Sequence, residues 1–323
     1  MNAGQQAAAV RRGAGLFRPA ARGVLRVAGG DRVRWLDGML SNDVAALAPG
    51  PEASGCPALL LTRQGRIVAD PHVLLRPECL WLELAREAIA PTREALARFI
   101  IADDVELEDA SEERERIALE GPEAAGLVAP ELAADACSDV EIAGVSVTVA
   151  AYGLALPGGR QLFAPAGSAD ALVEALRTQA PQLVEAGPEA LEILRIESGV
   201  PRLGPELDEQ VLPAEARLEA AVSTTKGCYT GQEVVARMAS RGRVSHLLVG
   251  LACAGAVPPV PGEALSLAGK PVGEITSACL SATAGAIALG FVRSAHAAAG
   301  TKLRAGALDV TVCELPFVSS GAA

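Results

Sequence analysis

The apolar pattern of the chain changes character once, after Gly242, and that change limits what it can fold into. Beyond it, short apolar stretches at residues 247–251, 264–267, 272–276, 287–292 and 310–315 are cut apart by Pro258-Pro259, Pro261-Gly262 and Gly269-Lys270. Runs this short, bounded by turn residues, suit strands and leave no room for helices. Residues 243–323 therefore read as a small antiparallel barrel or sandwich. Before Gly242 strand and helix periods alternate, which predicts an α/β region over residues 22–242.

Within that region the first lobe is expected to hold strands at 23–27, 58–61, 67–75 and 81–84. Helices are expected at 31–40 and after Pro91, with Trp35 and Phe99 in the core. A second lobe, about residues 111–185, repeats the mixture. It has strands at 116–119, a long alternating one at 140–150 and another at 161–164, then a helix that Ser168 can cap. The fold class is α+β: two α/β lobes followed by an antiparallel barrel.

Composition narrows the function. The chain has 323 residues, 50% hydrophobic and 21% charged, which is globular and long enough for two or three cores. Against 28 Lys plus Arg stand 39 Asp plus Glu, a net charge of -11 that repels a phosphate backbone and argues against direct nucleic-acid binding. Aromatic residues, at 3%, are too few for a base-stacking platform, so the partner is expected to be a small molecule or a protein. Seven scattered cysteines with no C-x-x-C pair and three dispersed histidines read as reduced thiols without a zinc site, and no metal is expected. No apolar run approaches the ~18–20 residues of a membrane span. The first thirty residues carry five arginines and no acid before Asp31, as organellar transit peptides do. They lack serine and are rich in glycine, so residues 1–21 are read as a flexible N-terminus of a cytoplasmic protein, with the mitochondrial matrix as alternative.

The segment that carries chemistry runs from Thr225 to Met238, TKGCYTGQEVVARM. Thr230-x-x-Glu233 has the form of a capping box, so a helix is expected from about Gly231 to Gly242. Cys228 then lies in a turn before a helix N-terminus, two residues from Lys226. The dipole and the ammonium would both favour its thiolate, making Cys228 and Lys226 candidate catalytic residues. Arg237, Arg241 and Arg243 are suited to an anionic ligand tail. Upstream, a helix over 188–198 is stopped by Gly199 and Pro201 and leaves Glu197 in its last turn, where it could accept hydrogen bonds from a ligand. Motifs for nucleotide hydrolysis, dinucleotide binding, serine hydrolysis and zinc proteolysis are missing from the sequence.

Lys226-Gly-Cys228-Tyr229-x-Gly231-Gln232-Glu233, with Leu194-Arg-Ile-Glu197-Ser-Gly199 before it and Arg237-Met238 after it, resembles the signature of the YgfZ family of folate-binding proteins. These are relatives of the aminomethyltransferase (T-protein) of the glycine cleavage system. Leu40-Ser-Asn-Asp43-Val44 and Leu61-Thr-x-Gln-Gly65-Arg66 extend the resemblance, as do Val272-Gly-x-Ile-Thr-Ser277 and Ala288-Leu-Gly-Phe-Val292. It implies an aminomethyltransferase-like fold around a central channel that holds tetrahydrofolate or a one-carbon derivative. It also implies a role in assembling or repairing iron–sulfur client proteins, including tRNA-modifying enzymes, rather than classical enzyme turnover. By the same resemblance Glu197 meets the pterin ring, and Tyr229, Gln232 and Arg237 join it as folate contacts. In the T-protein a Gly-x-Ile-x-Asp-Asp segment supplies an aspartate at the reaction centre; here Gly65-Arg-Ile-Val-Ala69-Asp70 keeps the second acid, making Asp70 a candidate for both binding and catalysis. The missing first acid, and a thiol at Cys228, favour the maturation role over folate-dependent one-carbon transfer, which is the first alternative. A folate-binding regulatory module without chemistry is the second.

Overall fold

The computed structural model describes residues 1–19, 21–50, 54–242 and 244–319. Its first lobe is a five-stranded sheet in the order Gly55–Pro57, His72–Leu75, Leu80–Ala85, Arg22–Ala28 and Glu106–Asp109. The strand Arg22–Ala28 shows why both faces are apolar. Leu25 and Val27 point to one side, sharing a core with Trp35 and Leu36 of helix Arg32–Met39 and with Ile89 and Leu96 of helix Ile89–Ala97. Val24, one residue out of phase, points to the other.

The second lobe is a six-stranded sheet in the order Cys137–Ile142, Val145–Ala150, Arg160–Pro165, Arg114–Glu120, Gly15–Phe17 and Val184–Glu185. Helix Ala169–Gln179 covers it through Leu172, Val173 and Leu176. The other faces of the two sheets meet: Val24, Leu74 and Trp81 of the first lobe pack with Cys137, Ala150 and Phe163 of the second. The Trp81 and Phe163 rings lie 5.4 Å apart across this seam. Six strands from His246 to Cys313 close an antiparallel barrel whose inner residues include Val249, Leu251, Ile275 and Val310. Helix Pro188–Ser198 ends on Gly199 in the left-handed conformation (φ 70°), as Gly after an apolar helix should. No helix among the described residues is long and apolar enough to cross a membrane.

Several expectations change. Residues 1–21 are not a flexible tail: Ala3–Arg12 is a helix capped by Asn2, and Gly15–Phe17 is an interior strand of the second lobe. Val10, Leu16 and Phe17 are buried there, and each such side chain is worth ~1.5–3 kcal/mol. The single strand expected at 140–150 is a hairpin. Ala143 (φ 51°) and Gly144 (φ 76°) turn the chain and set Ile142 opposite Val145. The strand expected at 67–75 breaks at Asp70-Pro71, because proline has no N–H to give the ladder; Ile67–Ala69 and His72–Leu75 join different sheets. Phe99 lies beyond its helix with its ring exposed, while its carbonyl accepts from Trp35 Nε1 at 3.3 Å. Ser168 does not cap its helix; its hydroxyl donates to Pro165 O at 2.5 Å. The fifth barrel strand in chain order, Lys302–Ala305, was too short and polar to stand out in the sequence.

Candidate functional site

The two lobes, the N-terminal segment, helix Pro188–Ser198 and barrel residues 279–282 enclose a cavity of about 1500 Å³. Drug-sized ligands sit in ~300–1,000 Å³, so there is room for a large ligand together with a second reactant. The break at Asp70-Pro71 brings Asp70 and His72 to its wall, and Tyr152 of the second lobe joins them. Glu120 fixes the Tyr152 end of this wall: its carboxylate accepts from the backbone N–H groups of Leu154, Ala155 and Leu156 at 2.7, 3.2 and 2.9 Å.

At this wall the polar groups are not all paired. Asp70 Oδ1 and His72 Nε2 are buried and have no hydrogen-bond partner among the described residues, and the equally buried Tyr152 hydroxyl is turned toward the Glu83 carboxylate without reaching good bonding geometry. His72 Nε2 is 3.5 Å from Asp135 Oδ1, too far for a good bond. The imidazole and phenol rings stack at 3.7 Å, 12° from parallel. Burial pushes the Asp70 carboxyl up to about 6, against the opposing pull of Arg22. Burial likewise drives His72 down to about 4, so it is neutral at pH 7. Behind them Glu83 is fully buried. Arg22 holds it through Nε (2.6 Å) and Nη2 (2.5 Å), and Arg116 of the second lobe adds a bond at 2.7 Å. Although burial opposes its charge, these two cations keep Glu83 down to about 2. Each orphaned buried polar atom costs ~1–3 kcal/mol and is rare enough in native proteins to call for an explanation, a ligand or chemistry among them.

The KGCY segment is placed elsewhere. Lys226 does not face the Cys228 thiol. Its ammonium, with a side chain 1% exposed, binds Asp37 O (2.5 Å), Asp37 Oδ1 (2.8 Å), Leu40 O (3.1 Å) and Asn42 O (2.8 Å). It thus caps the negative end of helix Arg32–Met39 and explains the Leu-Ser-Asn-Asp motif, whose Ser41 hydroxyl also donates to Ala221 O at 2.6 Å. Gly231 opens helix Gln232–Arg241 with φ 85° and no side-chain cap, so the Thr230/Glu233 capping box does not form. Gly231 presses on the Thr62–Gly65 turn, where an added Cβ would stand 2.6 Å from Thr62 O. Tyr229 is packed with Leu59, Leu61 and Ile67, and Gln232 Nε2 donates to Gly227 O at 3.3 Å. Neither lines the cavity, nor do Lys226 and Cys228. Cys228 itself is exposed, whereas the other six cysteines are buried or half-buried. Arg237 stands exposed on its helix; Arg243 and the side chain of Arg241 lie outside the described residues.

Glu197 also has another task. It is 2% exposed, and both its oxygens are taken. Arg11 donates to Oε2 through Nε (3.0 Å) and Nη2 (2.6 Å), and Ser281 donates to Oε1 at 2.5 Å. The acid at the helix end is thus neutralised by an arginine from the segment expected to be loose. Sequence reasoning missed His72, Tyr152 and the Arg22–Glu83–Arg116 group; the spacing of His72 two residues after Asp70 was the one available signal.

The GCVT N-terminal domain matches residues 2–226, and the glycine cleavage T-protein C-terminal barrel domain matches residues 247–319. The chain belongs to the glycine cleavage T-protein family. An aminomethyltransferase of Cutibacterium acnes is 33% identical over 338 residues, covering 96% of this chain and 88% of its own. A chloroplastic putative transferase of Arabidopsis thaliana is 26% identical over 307 residues, covering 92% and 69%. The crystal structure of the glycine cleavage system aminomethyltransferase T from Bartonella henselae has the same fold, with a TM-score of 0.86 at 24% identity over 98% of this chain and 90% of that one.

Proposed function

We propose that this T-protein family member binds tetrahydrofolate in its central cavity and carries out one-carbon transfer of the kind its aminomethyltransferase relatives are named for. The observation that carries this reading is Asp70: a carboxyl on the cavity wall, with one oxygen lacking a partner and a proton affinity raised to about 6. Such a group exists in both protonation states near neutral pH, which suits it to hold or release a proton at a reacting nitrogen. The fit to a folate is chemical: a polar wall for the ring, and on the lining Arg18 and Arg202, whose half-exposed ion pairs with Asp170 and Glu192 an anionic tail would have to displace. Bound tetrahydrofolate would supply the nucleophilic nitrogen that takes up the one-carbon unit. The chain's part is to enclose the ligand, orient it against Asp70 and exclude water through its apolar lining.

The test is calorimetric binding of tetrahydrofolate together with turnover on an aminomethylated lipoyl carrier protein. Turnover that is lost in Asp70→Asn and kept in Cys228→Ala supports the transfer reading. A second reading, the maturation of iron–sulfur proteins including tRNA-modifying enzymes, is favoured by one observation: Cys228 is the exposed thiol in a KGCYTGQE segment of YgfZ type. It predicts the opposite pattern. Cys228→Ala would fail to restore iron–sulfur enzyme activity in a strain lacking the protein, while Asp70→Asn would succeed.

A further inference from the structure

The Arg22–Glu83–Arg116 group acts electrostatically on Asp70 through Arg22 and Glu83, and its connectivity is unusual. Arg22 and Asp70 both line the cavity, and they attract each other, yet Asp70 Oδ1 has no partner. Arg22 is committed elsewhere: two of its nitrogens are fastened to Glu83 in a fork, the geometry in which a guanidinium is held most rigidly. Glu83 is in turn fixed from the opposite lobe, because Arg116 takes Oε1 while donating to Gln161 Oε1 at 3.2 Å. Of the other groups facing this seam, His72 and Tyr152 are uncharged at pH 7, since burial lowers the first and raises the second, while burial also raises the carboxyls of Asp135, 3.5 Å from His72, and of Glu120, which is pushed up to about 7.

We infer that Glu83 is a positioning residue: by holding Arg22 in a lobe-spanning ionic group, it withholds that cation from Asp70 and leaves the Asp70 carboxyl available to a ligand. Without Glu83, Asp70 is the carboxylate left acting on Arg22. The two would pair, and Asp70 would be spent as Glu197 is on Arg11. Because Arg116 belongs to the second lobe, the state of Asp70 depends on the docking of the two lobes as well as on its own strand. The inference rests on the reading of Asp70 as the ligand-facing acid, and its test is built to separate the two.

The full-length chain is labelled with ¹³C at aspartate carboxyls, and the Asp70 resonance is assigned by its loss in Asp70→Asn. Its titration midpoint is then followed in three proteins. In the wild type it is expected near 6. The double variant Glu83→Gln with Arg116→Gln, which removes one cation along with the anion to spare the fold, is expected to lower it by a pH unit or more. Arg22→Met is expected to raise it. Circular dichroism confirms that each variant is folded, and if the double variant is not, Glu83→Asp, which keeps the anion but shortens its reach to Arg22, takes its place and is expected to move the midpoint down in the same direction. Unmoved midpoints, or a fall in Arg22→Met, would overturn the inference whatever the ligand. Calorimetry with tetrahydrofolate addresses the underlying reading: wild-type binding that is indifferent to Asp70→Asn removes Asp70 from the ligand site even if the midpoints move as expected.

Discussion

Two places in this molecule carry the residues that drew notice in the sequence, and they differ in how their polar groups are paired. At the docking of the KGCY loop on the first lobe, Lys226 meets four oxygens, and Ser41 both donates to Ala221 O and accepts from Leu59 N at 2.9 Å. At the lobe seam beside the cavity, Asp70 and His72 each keep a buried atom without a partner. The first place has the economy of a structural joint, and the second has the unmet valence of a binding site. A motif of charged and polar residues marks a position where few alternatives are tolerated; only the pairing says whether folding or chemistry imposes that.

The comparison can be broken by substitution, and the largest effect is expected where pairing is complete and burial deepest. Glu83→Gln leaves Arg22 and Arg116 facing each other without their anion and should cost ~3–5 kcal/mol in urea denaturation. Since its folded-state acidity is enhanced from 4.5 to about 2, Glu83 contributes stability that is fully present above pH 4.5 and lost as pH falls toward 2. Wild type and variant should therefore converge in acid. Next, Arg11→Ala strands Glu197 and is expected to cost ~3 kcal/mol, with early proteolysis within residues 3–12. Lys226→Met should cost ~2 kcal/mol, because the carbonyls at the end of helix Arg32–Met39 lose their donor; hydrogen exchange there should quicken.

At the seam the sign reverses. Asp70 carries a carboxyl that the fold prefers protonated, raised from 3.8 to about 6, so the folded state loses stability as pH rises through that window. Asp70→Asn should accordingly raise stability by ~2 kcal/mol at pH 7.5 and leave it unchanged at pH 3.5, read as the difference in melting temperature, while weakening tetrahydrofolate binding. The smallest change in stability is expected for Cys228→Ala, within ~0.5 kcal/mol, because the residue is exposed. A stability loss there of the size expected for Lys226→Met would mean that the thiol also belongs to the joint.

Much of the fold was legible because apolar period and turn chemistry are local. Helices at 31–40 and 188–198 and five of the six barrel strands were within reach of that reading, and the helix from Gly231 to Gly242 ends where its glycine says it should. What escaped was set by distance in sequence. Nothing near Glu197 announces that Arg11 will neutralise it, and nothing near Lys226 shows that its ammonium is claimed by a helix end at Asp37–Leu40. Cys228 was read correctly as lying before a helix N-terminus, but the cation expected to act on it points away. Asp70 was legible as a polar group at the channel, and it does line the cavity; its partnerless oxygen, and the seam that produces it, required both lobes.

The strand Gly15–Phe17 lies between Arg114–Glu120, which it pairs with antiparallel, and Val184–Glu185, which it pairs with parallel. During synthesis it therefore leaves the ribosome long before either neighbour exists. At ~5–20 residues per second, the gap to Glu185 is on the order of ten seconds or more. Through that interval Leu16 and Phe17 are apolar residues without a sheet, while the first lobe behind them can already close. The second lobe must then admit a strand from its own past into its interior. Completion of the second lobe thus waits on its last strand, and a chaperone that shelters one short segment at the start would be guarding a domain not yet made.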